Sequence, residues 1–178
     1  MAGERSIMKK VKEVAQKVKS SKKKKNPEIT LPRMSAEFTH EEKVALFNFI
    51  QIYSTEIDGK KVKVIEKKYP SFRQKTWKGV IQNIRHEKAD NQNIYINALS
   101  NQNGNLFIDA NKGINRDAFI RHLRNAIVHS KIYYAQESEI VELIDYYPPS
   151  SDKRGQASAY IRLEKSLLWD IINIFKID

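Results

Sequence analysis

The residues best suited to chemistry lie in one short run, Phe119-Ile120-Arg121-His122-Leu123-Arg124-Asn125-Ala126-Ile127-Val128-His129-Ser130. Set on a helix at about 100° per residue, Phe119, Ile120, Leu123, Ala126 and Ile127 form one apolar arc. The opposite arc carries Arg121, Asn125 and His129 in successive turns. Arg124 falls about 140° from His129, on the other flank of the exposed side. Val128 interrupts this polar face, and a valine so placed suggests that another surface covers it, such as a partner subunit. Histidine is the side chain best suited to proton transfer at neutral pH. Arginine can grip a phosphate with a bidentate fork and offset charge as it develops. Asn125 can orient the histidine or the substrate. Such a set could cleave RNA without a metal: a histidine, His129 or His122, would take the 2′-hydroxyl proton or protonate the leaving oxygen, while an arginine steadies the phosphorane-like transition state. By spacing alone, the same residues also describe an ordinary solvated helix face.

The elements around this run read as mostly helical. Asn115 caps a helix from Arg116 to about Ser130. Upstream, Thr39 and Glu42 form a capping box ahead of an apolar helix with Val44, Leu46, Phe47, Phe49, Ile50, Ile52 and Tyr53, closed by Gly59. Lys60–Tyr69 is ambiguous but fits a short helix better than a strand, and Pro70 ends it. Ser71 caps a further helix to about Lys88, with Phe72, Trp77, Val80, Ile81 and Ile84 inward. The Asn-rich stretch 90–115 reads as loops around a short helix near Ile94–Leu99. Downstream, Glu139–Tyr146 and Ala157–Leu163 have strand composition, with a Pro148–Gly155 turn between them. Glu164–Phe175 forms a closing helix. The expected fold is mainly α: an antiparallel helical bundle with a small C-terminal β-hairpin.

The stretch Leu123-Arg124-Asn125-Ala126-Ile127-Val128-His129 resembles the Arg-Asn-x3-His signature of HEPN domains. The longer context Arg121–Ala126, with the hairpin and closing helix after it, resembles the bacterial pEK499-type HEPN subfamily. The order of elements extends the likeness over residues 38–178. The resemblance implies a HEPN-like helical domain. It also implies a homodimeric, metal-independent endoribonuclease that needs no cofactor and leaves 2′,3′-cyclic phosphate and 5′-hydroxyl ends. Arg124, Asn125 and His129 would be the catalytic residues; apart from the resemblance, the neighbouring Arg121, His122 and Lys131 are expected to contact substrate. It further implies a toxin or antiviral defence setting, with an antitoxin or defence-system partner. Family members silenced by tyrosine adenylylation carry a Tyr two residues after the His. Lys131 stands there in this chain, so the resemblance lends that control no support.

Composition narrows the alternatives. The chain has 178 residues and a formal net charge of +11, which points to a polyanionic partner but says nothing about fold. Zero cysteines exclude disulfides, thiolate metal sites and a Cys nucleophile. No run approaches the roughly 18 apolar residues of a membrane span, and no apolar segment follows the basic N-terminus as in a secretory signal. A cytoplasmic protein is expected. None of the four histidines has a second His or a carboxylate at convincing metal spacing, so no metal site is expected. Trp77 with Lys75 and Lys78, and Tyr146 and Tyr147 with Lys153 and Arg154, could stack bases, although core or hairpin packing is the commoner use. The alternative to an enzyme is a non-catalytic module that binds a nucleotide, RNA or a protein. A basic DNA-binding protein ranks below both, for want of a helix-turn-helix with an exposed recognition face.

The charge is unevenly spread. Residues 1–25 hold ten basic residues against Glu4 and Glu13, a net +8, which leaves +3 for the rest. In this arm Ile7, Met8, Val11, Val14, Ala15 and Val18 follow one helical stripe. Residues 26–37 form a linker marked by Pro27 and Pro32. The arm could be a helix docked on the body, a nucleic-acid-binding segment or a membrane-surface helix. If it recruits RNA, deleting residues 1–25 lowers RNA affinity and the slope of log affinity against log salt, and leaves the cleavage chemistry intact. Binding titrations at several salt concentrations measure this, and an unchanged slope rejects the recruiting role.

Overall fold

The computed structural model describes residues 34–35, 37–73, 79–80, 82–88, 104–110, 116–134 and 139–176. The arm, most of the linker, Trp77, Lys75, Lys78 and the helix expected near 94–99 lie outside the described residues.

The fold is not a helical bundle. Its centre is a six-stranded mixed sheet in the order β1-β4-β5-β6-β3-β2. The strands are β1 (Met34–Ser35), β2 (Ile84–Lys88), β3 (Asn105–Asp109), β4 (Ile132–Tyr134), β5 (Ile140–Tyr146) and β6 (Ala157–Glu164). Only β2 and β3 pair in parallel; the other neighbours are antiparallel. The expected hairpin is present as β5 and β6, but it forms the middle of a larger sheet. The helices are α1 (His40–Ile52), prolonged by a π-helical turn (Tyr53–Ile57), then α2 (Val62–Lys68), α3 (Arg116–Val128) and α4 (Lys165–Asn173).

The sheet supplies half of the core that a bundle would have drawn from further helices. On one face Phe107, Val141, Leu143, Ala159, Ile161 and Leu163 meet Phe119, Ile120, Leu123, Ala126 and Ile127 of α3 and Leu168, Ile171 and Ile172 of α4. Phe107 and Phe119 cross edge to face, with ring centroids 5.2 Å apart. Helix α1 packs against α3 and α4 through Leu46, Phe49 and Ile52. On the other face a smaller cluster gathers Leu106, Ile108, Ile144, Ala157 and Tyr160. Strand β3 is therefore apolar on both sides, and that hides the alternation by which a half-buried strand is recognised.

Local signals explain the element ends. Thr39 caps α1 through a capping box: its hydroxyl accepts from the Glu42 N–H, and the Glu42 carboxylate accepts from the Thr39 N–H. Arg116 ties the start of α3 to the preceding segment. Its Nη1 donates to Glu66 Oε1 at 3.1 Å and to the Phe72 carbonyl at 2.7 Å, and its guanidinium lies over the Phe72 ring. The helix expected over 71–88 is reduced to a 3₁₀ turn at Pro70–Phe72 and helical residues 79–80. By Ile84 the chain has become strand β2, whose polar sequence Ile-Arg-His-Glu-Lys suits a sheet edge.

Helix α3 ends in a Schellman turn. The Ser130 N–H bonds the Ile127 carbonyl at 3.0 Å, and the Lys131 N–H bonds the Ala126 carbonyl at 2.8 Å. Ser130 takes the left-handed position at φ 52°, where glycine is the usual occupant. Left-handed backbone costs a non-glycine residue about 1–2 kcal/mol, and glycine gives back about half of that in entropy. Ser130→Gly should therefore raise unfolding stability by roughly 0.5–1 kcal/mol, and Ser130→Val should lower it. Urea denaturation midpoints measure both shifts.

Candidate functional site

Register across the sheet builds the floor of the site. Ala159 of β6 pairs with Asp109 of β3 on one side and with Asp145 of β5 on the other. Paired residues point to the same face, so both carboxylates stand beneath α3 with a methyl group between them. The small side chain leaves room for the His122 imidazole. Its Nδ1 lies 2.7 Å from Asp145 Oδ2, and its Nε2 lies 3.5 Å from Asp109 Oδ2. Arg121 Nη2 also meets Nε2, at 3.3 Å. A guanidinium can only donate, so in that contact Nε2 accepts and the ring proton sits on Nδ1, facing Asp145.

A β-bulge completes the arrangement. Tyr146 pairs with Ala157 and Asp145 with Ala159, which leaves Ser158 as the extra residue. Ser158 is buried and hydrogen-bonds Asp145, as bulges commonly re-aim a side chain. Burial by itself would raise the Asp145 pKa, but hydrogen bonds from His122, Asn125 and Ser158 hold it below its ordinary value.

Asn125 links this floor to the surface. Its Nδ2 donates to Asp145 Oδ2 at 3.1 Å, and its Oδ1 accepts from Arg124 Nη1 at 3.1 Å. Arg124 is half-buried, with its guanidinium 5.8 Å from the centre of the Tyr53 ring. Its Nε is buried and has no hydrogen-bond partner among the described residues. Among the described residues no carboxylate forms an ion pair with Arg124. Both of its neighbours, an amide and a ring, are neutral.

The expected residues thus divide. Arg124, Asn125 and His122 are joined through Asp145, and Arg121 is exposed beside them. His122 does not stand at a solvated boundary: it is 1% exposed, a buried partner of Asp145 out of reach of a substrate. His129 is exposed in the turn after α3, its N–H bonded to the Asn125 carbonyl at 3.0 Å. Lys131 is half-buried; its carbonyl accepts from the Ile144 N–H at 3.1 Å and so docks the turn on β5. Val128 remains 39% exposed. His40 opens α1 at the surface. Lys153 lies over the Tyr147 ring, so that pair is engaged within the hairpin.

Sequence reading missed Asp109, Asp145 and Tyr53. Nothing local marks the two acids, because only strand register brings them together. Tyr53 sits in the core helix pattern and passes for packing. Among the described residues no three His, Asp or Glu side chains are grouped so as to hold a metal ion, and no described helix is long and apolar enough to cross a membrane. Comparison of the chain with known protein families, characterised proteins and solved structures gives no match.

Asp145→Asn can set its amide oxygen where Oδ2 stands and keep both donors, but their hydrogen bonds become neutral where those to the carboxylate are charge-assisted. The cost is roughly 1–3 kcal/mol for the two bonds together. The folded pKa of Asp145 lies below the ordinary 3.8, so its contribution is complete above that value and is lost as pH falls through the folded one. The stability gap between wild type and Asp145→Asn should be constant from about pH 5 to 7 and should close in stronger acid. Chemical denaturation across that range tests the sign; a gap that widens on acidification rejects it.

Proposed function

We propose that the chain is a metal-independent endoribonuclease acting as a homodimer. The observation that carries this is Arg124: a half-buried guanidinium held, among the described residues, by neutral groups, five residues before an exposed histidine. A cation partly withdrawn from water and without a counter-ion is stabilised when a ligand supplies the opposite charge. A phosphodiester is such a ligand, and it fits the guanidinium fork. The resemblance of Arg124-Asn125 and His129 to the HEPN motif supports the same reading, independently of the helical bundle that the sheet has replaced.

In this mechanism the 2′-oxygen attacks phosphorus and the P–O5′ bond breaks. One proton leaves the 2′-hydroxyl and another is delivered to the 5′-oxygen, giving a 2′,3′-cyclic phosphate and a 5′-hydroxyl. Arg124 binds the phosphoryl oxygens and opposes the charge that builds on them. His129 carries out one proton transfer. Each chain offers one exposed histidine in the turn after α3, and a second copy would bring another. Apolar surface beside the motif supports pairing: Phe47 is 59% exposed and lines a cavity of about 320 Å³ with Ile127 and Ser130. An antitoxin or defence-system partner is part of the same proposal, as is RNA as substrate.

The test is incubation of the purified chain with RNA in EDTA. Wild type should cut, and Arg124→Ala and His129→Ala should each lose about 10²-fold or more. Phe47→Glu should shift the sedimentation of the chain toward the monomer. Equal cutting by wild type and His129→Ala, or RNA binding without cleavage, rejects the enzyme in favour of a binding module.

A further inference from the structure

The π-helical turn Tyr53–Ile57 prolongs α1 beyond its last regular residue. Such turns are rare and frequently mark functional positions. This one turns Tyr53 toward α3. Tyr53 is buried, and its ring packs on Phe49 at 6.5 Å between centroids. The Arg124 guanidinium lies over the same ring, 5.8 Å from its centre. That distance is within the range of a cation–π contact, which strengthens as water is excluded.

Two holds on Arg124 can then be distinguished. Asn125 holds the Nη1 end by a hydrogen bond. The Nε end is buried and has no acceptor among the described residues, so a non-hydrogen-bonding surface must steady that side. We propose that Tyr53 is the positioning residue of Arg124, its ring fixing the guanidinium for a phosphodiester without neutralising it. This rests on the reading of Arg124 as the phosphate-holding group. A carboxylate in the same place would also fix the arginine, but would compete with the phosphate for its donors. A ring attracts the cation and leaves its N–H groups free. Tyr53 also feels Arg121, Asp58 and Asp117: burial and Asp58 raise its phenol pKa, while Arg121 and Arg124 oppose the rise. The ring thus lies within electrostatic reach of both candidate phosphate-binding arginines.

The role requires the ring and not the hydroxyl, and this separates it from a hydrogen-bonding or proton-transfer role. In the full chain, the Arg124 Nε–Hε resonance should be displaced upfield by the ring current and assigned by its loss in Arg124→Lys. Tyr53→Phe should keep both this displacement and the wild-type cleavage rate. Tyr53→Leu should return the resonance to the free-arginine position and lower kcat/KM by about tenfold, with the circular dichroism unchanged. An undisplaced Arg124 resonance in wild type overturns the proposal even if Tyr53→Leu does not fold. So does a Tyr53→Leu chain that cleaves at the wild-type rate, or a Tyr53→Phe chain as impaired as Tyr53→Leu. If no variant cleaves RNA, the nuclease reading fails, and the resonance alone decides whether Tyr53 holds Arg124.

Discussion

The arrangement depends on a single buried oxygen, Asp145 Oδ2. It accepts from His122 Nδ1 at 2.7 Å and from Asn125 Nδ2 at 3.1 Å. These two residues lie three apart on α3, on one face of the helix. Their common acceptor therefore fixes the rotation of α3 about its axis, which apolar contacts alone would leave softer. The rotation in turn sets the direction of Arg124 and the level at which the helix ends in His129. Burying a carboxylate is tolerable only when hydrogen bonds replace its water. The Ser158 bulge and the two α3 donors do so, and the depressed Asp145 pKa is the electrostatic record of that replacement.

The constraint is one of sheet geometry. Three adjacent strands bring Asp109, Ala159 and Asp145 to one level, and the middle residue must be small for an imidazole to settle between the acids. A helical bundle has no equivalent row. Once the fold includes this sheet, His122 has a buried polar socket and no longer needs the surface. Toward the C-terminal end of α3 Asn125 faces the sheet, and in the turn after the helix His129 faces solvent.

Much of the helical layer was legible from local chemistry. Thr39 and Glu42 announced the start of α1, the Phe119–Ile127 arc announced the buried side of α3, and the β-branched and aromatic runs at 139–146 and 157–163 announced the hairpin. Each of these signals is contained within one element. The sheet beyond the hairpin was not legible, because its strands lack such signals. Strand β2 is a polar edge, β3 is buried on both faces, and β4 is only three residues long. Their identity comes from partners distant in sequence, as in the parallel pairing of Ile84 with Asn105. The candidate site was half legible for the same reason. Arg124, Asn125 and His129 stand together in the sequence, whereas Asp145 and Tyr53 reach them only through the tertiary fold.

Asn125 shows why a neutral residue belongs between Asp145 and Arg124. Its amide takes the negative end of the chain on one side and the positive end on the other, donating to Asp145 and accepting from Arg124. It transmits position between the two charges without joining them as a salt bridge. An aspartate there would have no donor for Asp145, would repel it at close range, and would pair with Arg124 directly. The buried acid would lose a hydrogen bond and the guanidinium would gain a counter-ion. A lysine would satisfy Asp145 but repel the guanidinium. Only a side chain with one donor and one acceptor, short enough to stay on the helix face, keeps Asp145 solvated by protein and Arg124 open to an anion.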